Sequence, residues 1–315
     1  MAVDPVRPIE PWAPDVGLAP GPDVDREPDG FVVAADDGSR LHFLDWGTPA
    51  DEDGSGVLLV PGLLQPASSW APVARRLARA RRTVASDLRG QGLSDAPMSG
   101  YDLASLASDA VAVAEGSGLL AGGRIVVAGH GFGGIVALVA ASALGDRCAG
   151  VVLVDGGWER LEVTTDVDVD EFLRGLDEPP EVLRSLDAYL NDRRGYDPST
   201  WDGDQERAAR DAVVETAAGH VVRAVRPHVV DALVHTMFEW DPADAVGGSA
   251  PVAALVALGA GDPDTRLAEL RRTADAWLAA GFGFGPIRVT GFPGVAHNLM
   301  RYRPADVTAA ILEIA

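Results

Sequence analysis

Short runs of Val, Leu and Ile alternate along this chain with longer segments of helical periodicity. No other feature restricts the fold as much. Val57–Val60, Arg82–Ser86, Arg124–Ala128 and Gly150–Val154 read as strands, and Trp70–Ala80, Leu103–Glu115 and Gly134–Leu144 between them read as helices. Strands that are apolar almost throughout are those covered on both faces. Strand–helix–strand repetition implies right-handed crossovers, hence an α/β fold with a mostly parallel, doubly wound sheet. Ahead of this series, Phe31–Ala35 and Leu41–Trp46 flank Asp37-Gly38, the signal of a hairpin.

The rhythm stops at Asp155 and resumes near residue 249. In between, Val169–Leu176, Pro180–Asn191, Gln205–Ala218 and Pro227–Met237 read as acidic amphipathic helices, with no convincing strand among them. Afterwards Val252–Leu258 and Pro286–Val289 read as strands, Thr265–Ala280 and Pro304–Ile314 as helices. The expected organisation is a flexible N-terminal arm over residues 1–29, a core from 30–155 and 249–315, and a helical lid over 156–248. Open α/β sheets bind ligands at the carboxyl ends of their strands, where such a lid would sit.

Composition removes several classes of function. The formal net charge is −21 and every basic side chain is arginine. Nucleic-acid binding is disfavoured, since nothing offsets phosphate repulsion, and without lysine no Schiff-base chemistry is open to the chain. No apolar run approaches the ~18 residues of a membrane span, and residues 1–30 lack the pattern of a signal peptide. The single cysteine, Cys148, suits a reducing compartment and reads as buried filler. The expected location is the cytoplasm, with no membrane partner.

Val126–Gly134 reads Val-Val-Ala-Gly-His-Gly-Phe-Gly-Gly, a strand running through a tight turn into a helix. Gly129 and Gly133 stand two residues either side of Gly131. That spacing suits a nucleophile elbow, where strand and helix backbones approach too closely for larger side chains. Val60-Pro61-Gly62-Leu63-Leu64 resembles an oxyanion loop, Ser86–Ser94 an Asp-x-Arg-Gly-x-Gly-x-Ser loop, Gly259–Pro263 a loop carrying a triad acid, and Gly294–Asn298 a loop carrying a triad histidine. On these motifs, over residues 31–315, the chain resembles the α/β-hydrolase superfamily.

The resemblance implies that His297 is the general base, that Asp262 orients it, and that the backbone N–H groups of Leu63 and Phe132 form an oxyanion hole. Asp155 and Asp264 are the alternative acids. The position that should carry the attacking serine holds Gly131, which excludes an ordinary acyl-enzyme. Glycine is comfortable there, because an elbow residue sits at positive φ, where another residue would be strained. His130, Leu64 and Trp158 are the expected substrate-binding residues. Gly129–Gly133, with Asp155 ending the next strand, also fits a dinucleotide turn; the oxyanion-like loop, the inserted helices and the late His297 argue against it. His220, His228 and His235 are spaced poorly for joint chelation, so neither metal nor organic cofactor is expected.

Three functions are compatible with these residues. The first is an enzyme in which His297 acts on substrate or on water without a covalent nucleophile, in elimination, cyclisation, lyase chemistry or direct hydrolysis. The second is a serine hydrolase disabled by a Ser-to-Gly change at position 131. The third is a binding pseudoenzyme. In each the partner is a small, mainly hydrophobic molecule.

Overall fold

The computed structural model describes residues 10–11, 27–47, 55–245, 250–259, 262–280 and 287–315, with backbone alone at Glu10 and Pro11. Most of the expected arm therefore lies outside the described residues. Eleven strands occur among the described ones: β1 (Glu10–Pro11), β2 (Asp29–Ala34), β3 (Arg40–Asp45), β4 (Gly56–Val60), β5 (Thr83–Ser86), β6 (Ile125–His130), β7 (Cys148–Val154), β8 (Val213–Glu215), β9 (Val221–Arg223), β10 (Val252–Ala257) and β11 (Arg288–Phe292). Nine form one sheet in the order β1-β11-β10-β7-β6-β4-β5-β3-β2. Only the pairings of β3 with β2 and β5 are antiparallel. The expected hairpin is β2–β3, closed where Gly38 takes φ 83° and Ser39 O accepts from Ala35 N.

The strand residues alternate between two cores, which is the physical content of a doubly wound sheet. Leu58, Val60 and Val127 face α2 (Leu103–Gly116) and α3 (Phe132–Leu144); Val57, Leu59 and Val126 face α1 (Ala71–Leu77) on the other side. Both faces are sealed, so the central strands show no polar alternation.

Between β7 and β10 lie α4 (Leu161–Thr164), α5 (Val169–Gly175), α6 (Pro180–Leu183), α7 (Leu186–Tyr196), α8 (Gly203–Asp211) and α9 (Pro227–Phe238). The reading of this stretch as free of strands is corrected. Helix α8 ends at Asp211 and the chain turns into the β8–β9 hairpin, whose bend is made by Gly219 at φ 81° and a Thr216 N–H to His220 O bond. Val-Val pairs on either side of a glycine turn favour pleated backbone, and here they override the helical period running in from Gln205. The remaining helices are α10 (Pro263–Ala279), α11 (Leu299–Tyr302) and α12 (Pro304–Leu312), the last packed in the core with α1. No helix among the described residues is long and apolar enough to cross a membrane.

Candidate active site

Gly131 stands at the turn between β6 and α3 with φ 52° and ψ −118°, a backbone that L side chains rarely adopt. Its N–H is held by Val154 O at 3.0 Å. The turn is closed by glycines that permit no side chain. A Cβ on Gly129 would lie 2.0 Å from Gly133 O, and one on Gly133 would lie 2.4 Å from both Val60 O and Pro61 O. A Cβ on Gly131 itself would meet no backbone. Its nearest neighbour would be His297 Nε2, at 3.1 Å. Position 131 is thus the point of the turn from which a side chain can project, and it projects toward an imidazole.

His297 lies in the loop between β11 and α11 and is about half exposed, at 55% of its side chain. Its Nδ1 lies 2.6 Å from Asp155 Oδ2. Asp155 directly follows β7 at φ 51° and is fully buried. Its other oxygen accepts from Ala257 N at 2.7 Å and from Arg266 Nη2 at 3.0 Å. Burial pushes this carboxyl's pKa up, but the His297 hydrogen bond, the Arg266 charge and the Ala257 N–H outweigh it and leave Asp155 below its ordinary range. Asp155 and Leu64 are the two non-glycine residues with positive φ among the described residues. Both line the same cavity, the kind of place where backbone strain is found.

The expectation that Asp262 orients His297 is corrected. Asp262 is exposed and caps α10, accepting from Asp264 N at 3.2 Å and from the Thr265 hydroxyl, and those bonds hold its pKa down. The local signal was legible, since Asp followed by Pro is the ordinary start of a helix. Asp155, named as an alternative, holds the position instead.

Leu63 and Leu64 follow β4. The N–H of Leu64 is taken by Gln91 Oε1, while Gln91 Nε2 donates to Gly62 O at 3.1 Å. Among the described residues the N–H of Leu63 meets no acceptor. That of Phe132, the first residue of α3, is one of the orphan donors every helix start leaves. Gln65 and Gln91, which brace this loop, were missed in the sequence because isolated glutamines carry no spacing signal.

His130 is buried. Its Nε2–H donates to His297 O at 3.1 Å and its Nδ1 faces the Gln65 amide at 2.9 Å. Burial, reinforced by neighbouring His297, pushes its pKa down to about 3, so the ring is neutral. It borders the cavity, but both ring nitrogens are committed to the protein, and it braces the His297 loop rather than offering a free ligand. The assignment of Trp158 to substrate binding is also corrected. Trp158 is fully buried, its ring lies under the Arg266 guanidinium at 5.6 Å, and it does not line the cavity. Leu63, Leu64 and Phe132 do.

The cavity, about 420 Å³, is bounded by Gly131, His297 and the Leu63 loop on the sheet side and by Leu161, Phe172, Leu176 and Met237 from the inserted helices. Among the described residues no group of three His, Cys, Asp or Glu side chains is placed to hold a metal. The arrangement offers an imidazole whose Nε2 faces position 131 and whose Nδ1 is held by a buried carboxylate.

A profile of the Alpha/beta hydrolase family matches residues 57–311. N-formylmaleamate deformylase of Pseudomonas putida is 35% identical over 119 residues, 38% of this chain and 42% of that protein. The 2-(acetamidomethylene)succinate hydrolase of Mesorhizobium japonicum is 33% identical over 106 residues, 33% of this chain and 37% of that protein. The chain thus spans less than half the length of these curated relatives. Solved structures share the whole fold. E-2-(acetamidomethylene)succinate hydrolase superposes with a TM-score of 0.67 at 19% identity, over 91% of this chain and 99% of that one. The thioesterase domain from the curacin pathway gives 0.66 at 17%, over 90% and 99%.

Proposed function

The chain belongs to the alpha/beta hydrolase family, and on that premise we propose that it is an enzyme acting on a small, mainly apolar molecule without a covalent nucleophile. One observation carries this reading: His297 Nε2 faces the glycine at the elbow while its Nδ1 is fixed on buried Asp155. In direct hydrolysis His297 Nε2 takes a proton from water as the water oxygen bonds to the substrate carbonyl carbon. The resulting oxyanion is held by the Leu63 and Phe132 N–H groups, and its collapse expels a leaving group that takes the proton back from His297. In elimination or lyase chemistry the same nitrogen takes a proton from carbon, the donors hold the enolate oxygen, and the enolate re-forms the carbonyl as the bond to the β-leaving group breaks and that group takes the proton from His297. Asp155 keeps the ring in the Nδ1–H tautomer and stabilises the imidazolium. Helices α4, α5 and α9 act as a lid that supplies the apolar wall facing His297.

A second reading, a serine hydrolase lacking only its hydroxyl, is favoured by the same 3.1 Å approach, since a side chain at 131 would point at the base. p-Nitrophenyl butyrate and a fluorophosphonate probe separate the two. On the proposed reading the protein turns over the ester slowly without a burst, resists labelling, and loses at least ~10²-fold in rate in His297→Ala. If only Gly131→Ser shows turnover and labelling, the second reading replaces it. If neither form turns over or labels, direct hydrolysis and acyl transfer both fall, and proton abstraction from carbon or binding alone remains.

A further inference from the structure

The cavity described above has a charged inner wall that the proposed chemistry does not use. Arg266, on α10, is its only guanidinium among the described residues, and its donors are engaged within the protein. Its Nε lies 2.6 Å from Glu159 Oε1, Nη2 bridges Glu159 Oε1 and Asp155 Oδ1, and Nη1 donates to Ala257 O at 3.0 Å. Its flat face covers Trp158. The guanidinium is 8% exposed, so it cannot turn to meet a ligand without breaking a buried ion pair. Two carboxylates share this one guanidinium and make the wall acidic, although burial pushes the Glu159 pKa up against the pull of Arg266. His130, the other buried ionisable neighbour, is neutral and bonded to the protein. Both guanidinium contacts of Glu159 fall on Oε1; the carboxylate also accepts from the Thr164 hydroxyl, which lines the cavity beside it, and Oε2 keeps acceptor capacity that Arg266 does not take. The rest of the lining is chiefly apolar, with Ile135, Phe172, Leu176 and Met237 prominent.

We infer that the cavity selects uncharged, mainly apolar molecules carrying a hydrogen-bond donor, which Glu159 Oε2 accepts, and that it rejects carboxylates. Glu159 is then the specificity-determining residue. The inference names the substrate class of the proposed site and rests on that site being the binding pocket, but not on what His297 does there. A carboxylate brought against this inner wall would meet Asp155 and Glu159 with Arg266 already engaged by both, and like charges in a poorly solvated site repel strongly. An amide N–H or a hydroxyl finds an anionic acceptor, and hydrogen bonds to charged groups are the stronger kind.

Three probes with a common body test this by titration calorimetry: 4-phenylbutanamide, its N,N-dimethyl derivative and 4-phenylbutanoate. The primary amide should bind about 10-fold more tightly than the dimethyl amide, which cannot donate, and at least about 10-fold more tightly than the carboxylate. Leu176→Trp should weaken the amide by obstructing the cavity, and Glu159→Gln should shrink the amide-to-carboxylate ratio by about 5-fold or more. If Glu159→Gln fails to fold, the ratios on the unaltered protein still decide. A carboxylate that binds as well as the amide, no binding by any probe at millimolar concentration, or a ratio indifferent to a folded Glu159→Gln would each overturn the inference. His297→Ala should keep the ratio. Loss of turnover dependence on His297 with the ratio intact would therefore refute the base chemistry and leave the specificity standing.

Discussion

Replacing Gly131 with alanine should cost about 1–2 kcal/mol, whereas the same change at Gly129 or Gly133 should abolish folding. A non-glycine residue at φ 52° and ψ −118° carries about 1–3 kcal/mol of strain. Removing glycine from the unfolded chain returns about 0.4–1 kcal/mol. The new Cβ would lie 3.1 Å from His297 Nε2 and 3.3 Å from its Cε1. That ring is 55% exposed and can retreat by a few tenths of an ångström at small cost. At Gly129 the Cβ would lie 2.0 Å from the Gly133 carbonyl, and at Gly133 2.4 Å from two carbonyls of the β4 end. Those atoms are backbone of α3 and of the neighbouring β4 end and cannot retreat, so the cost should exceed about 4 kcal/mol. Urea denaturation followed by circular dichroism measures all three. Gly131→Ala should shift the midpoint modestly with an unchanged slope, with a fall in melting temperature of about 2–4 °C. Equal tolerance at 129 and 131, or unfolding on Gly131→Ala, would refute the claim that the turn reserves room for a side chain at position 131 alone.

Other consequences can be checked separately. In the Gly131→Ser background, Asp155→Asn should slow fluorophosphonate labelling by up to about 10⁴-fold through the wrong imidazole tautomer. Asp262→Ala should leave the labelling rate nearly unchanged and lower the melting temperature slightly, having lost a helix cap. Asp155 is held below its ordinary pKa by His297 and Arg266 against the opposing effect of burial. Its contribution to stability is therefore complete above about pH 4 and is lost as the pH falls through the lowered value. Acid titration of the folded state should show a shallower loss in Asp155→Asn than in the unaltered protein, and parallel curves would contradict the assignment. Burial pushes the Cys148 thiol up to about 11, so iodoacetamide at pH 8 should modify it only after denaturation. Native-state modification detected by intact mass would show that β7 opens.

The alternation of apolar runs, the three spaced glycines, and a late loop histidine were readable because each is local. Strand burial, turn packing and helix starts are set within a few neighbouring residues, and sequence spacing records them. Local propensity also misled in places. The Val-Val pair of β8 lay inside an apparent helical stretch and that of β9 just beyond it, and Asp262 drew attention by its loop although Pro263 already marked it as a cap. The sequence by itself therefore determined the doubly wound sheet and the glycine turn, and singled out the histidine that faces it. Only the tertiary structure decided the acid and the charge of the pocket. Asp155 reaches His297 across 142 positions because β10 lies between β7 and β11 and their carboxyl ends come together, and Arg266 reaches Glu159 across 107 because α10 packs against that end. Contacts between chain segments so far apart depend on how the layers dock, and no periodicity in the chain encodes the direction in which a single buried side chain points once they have.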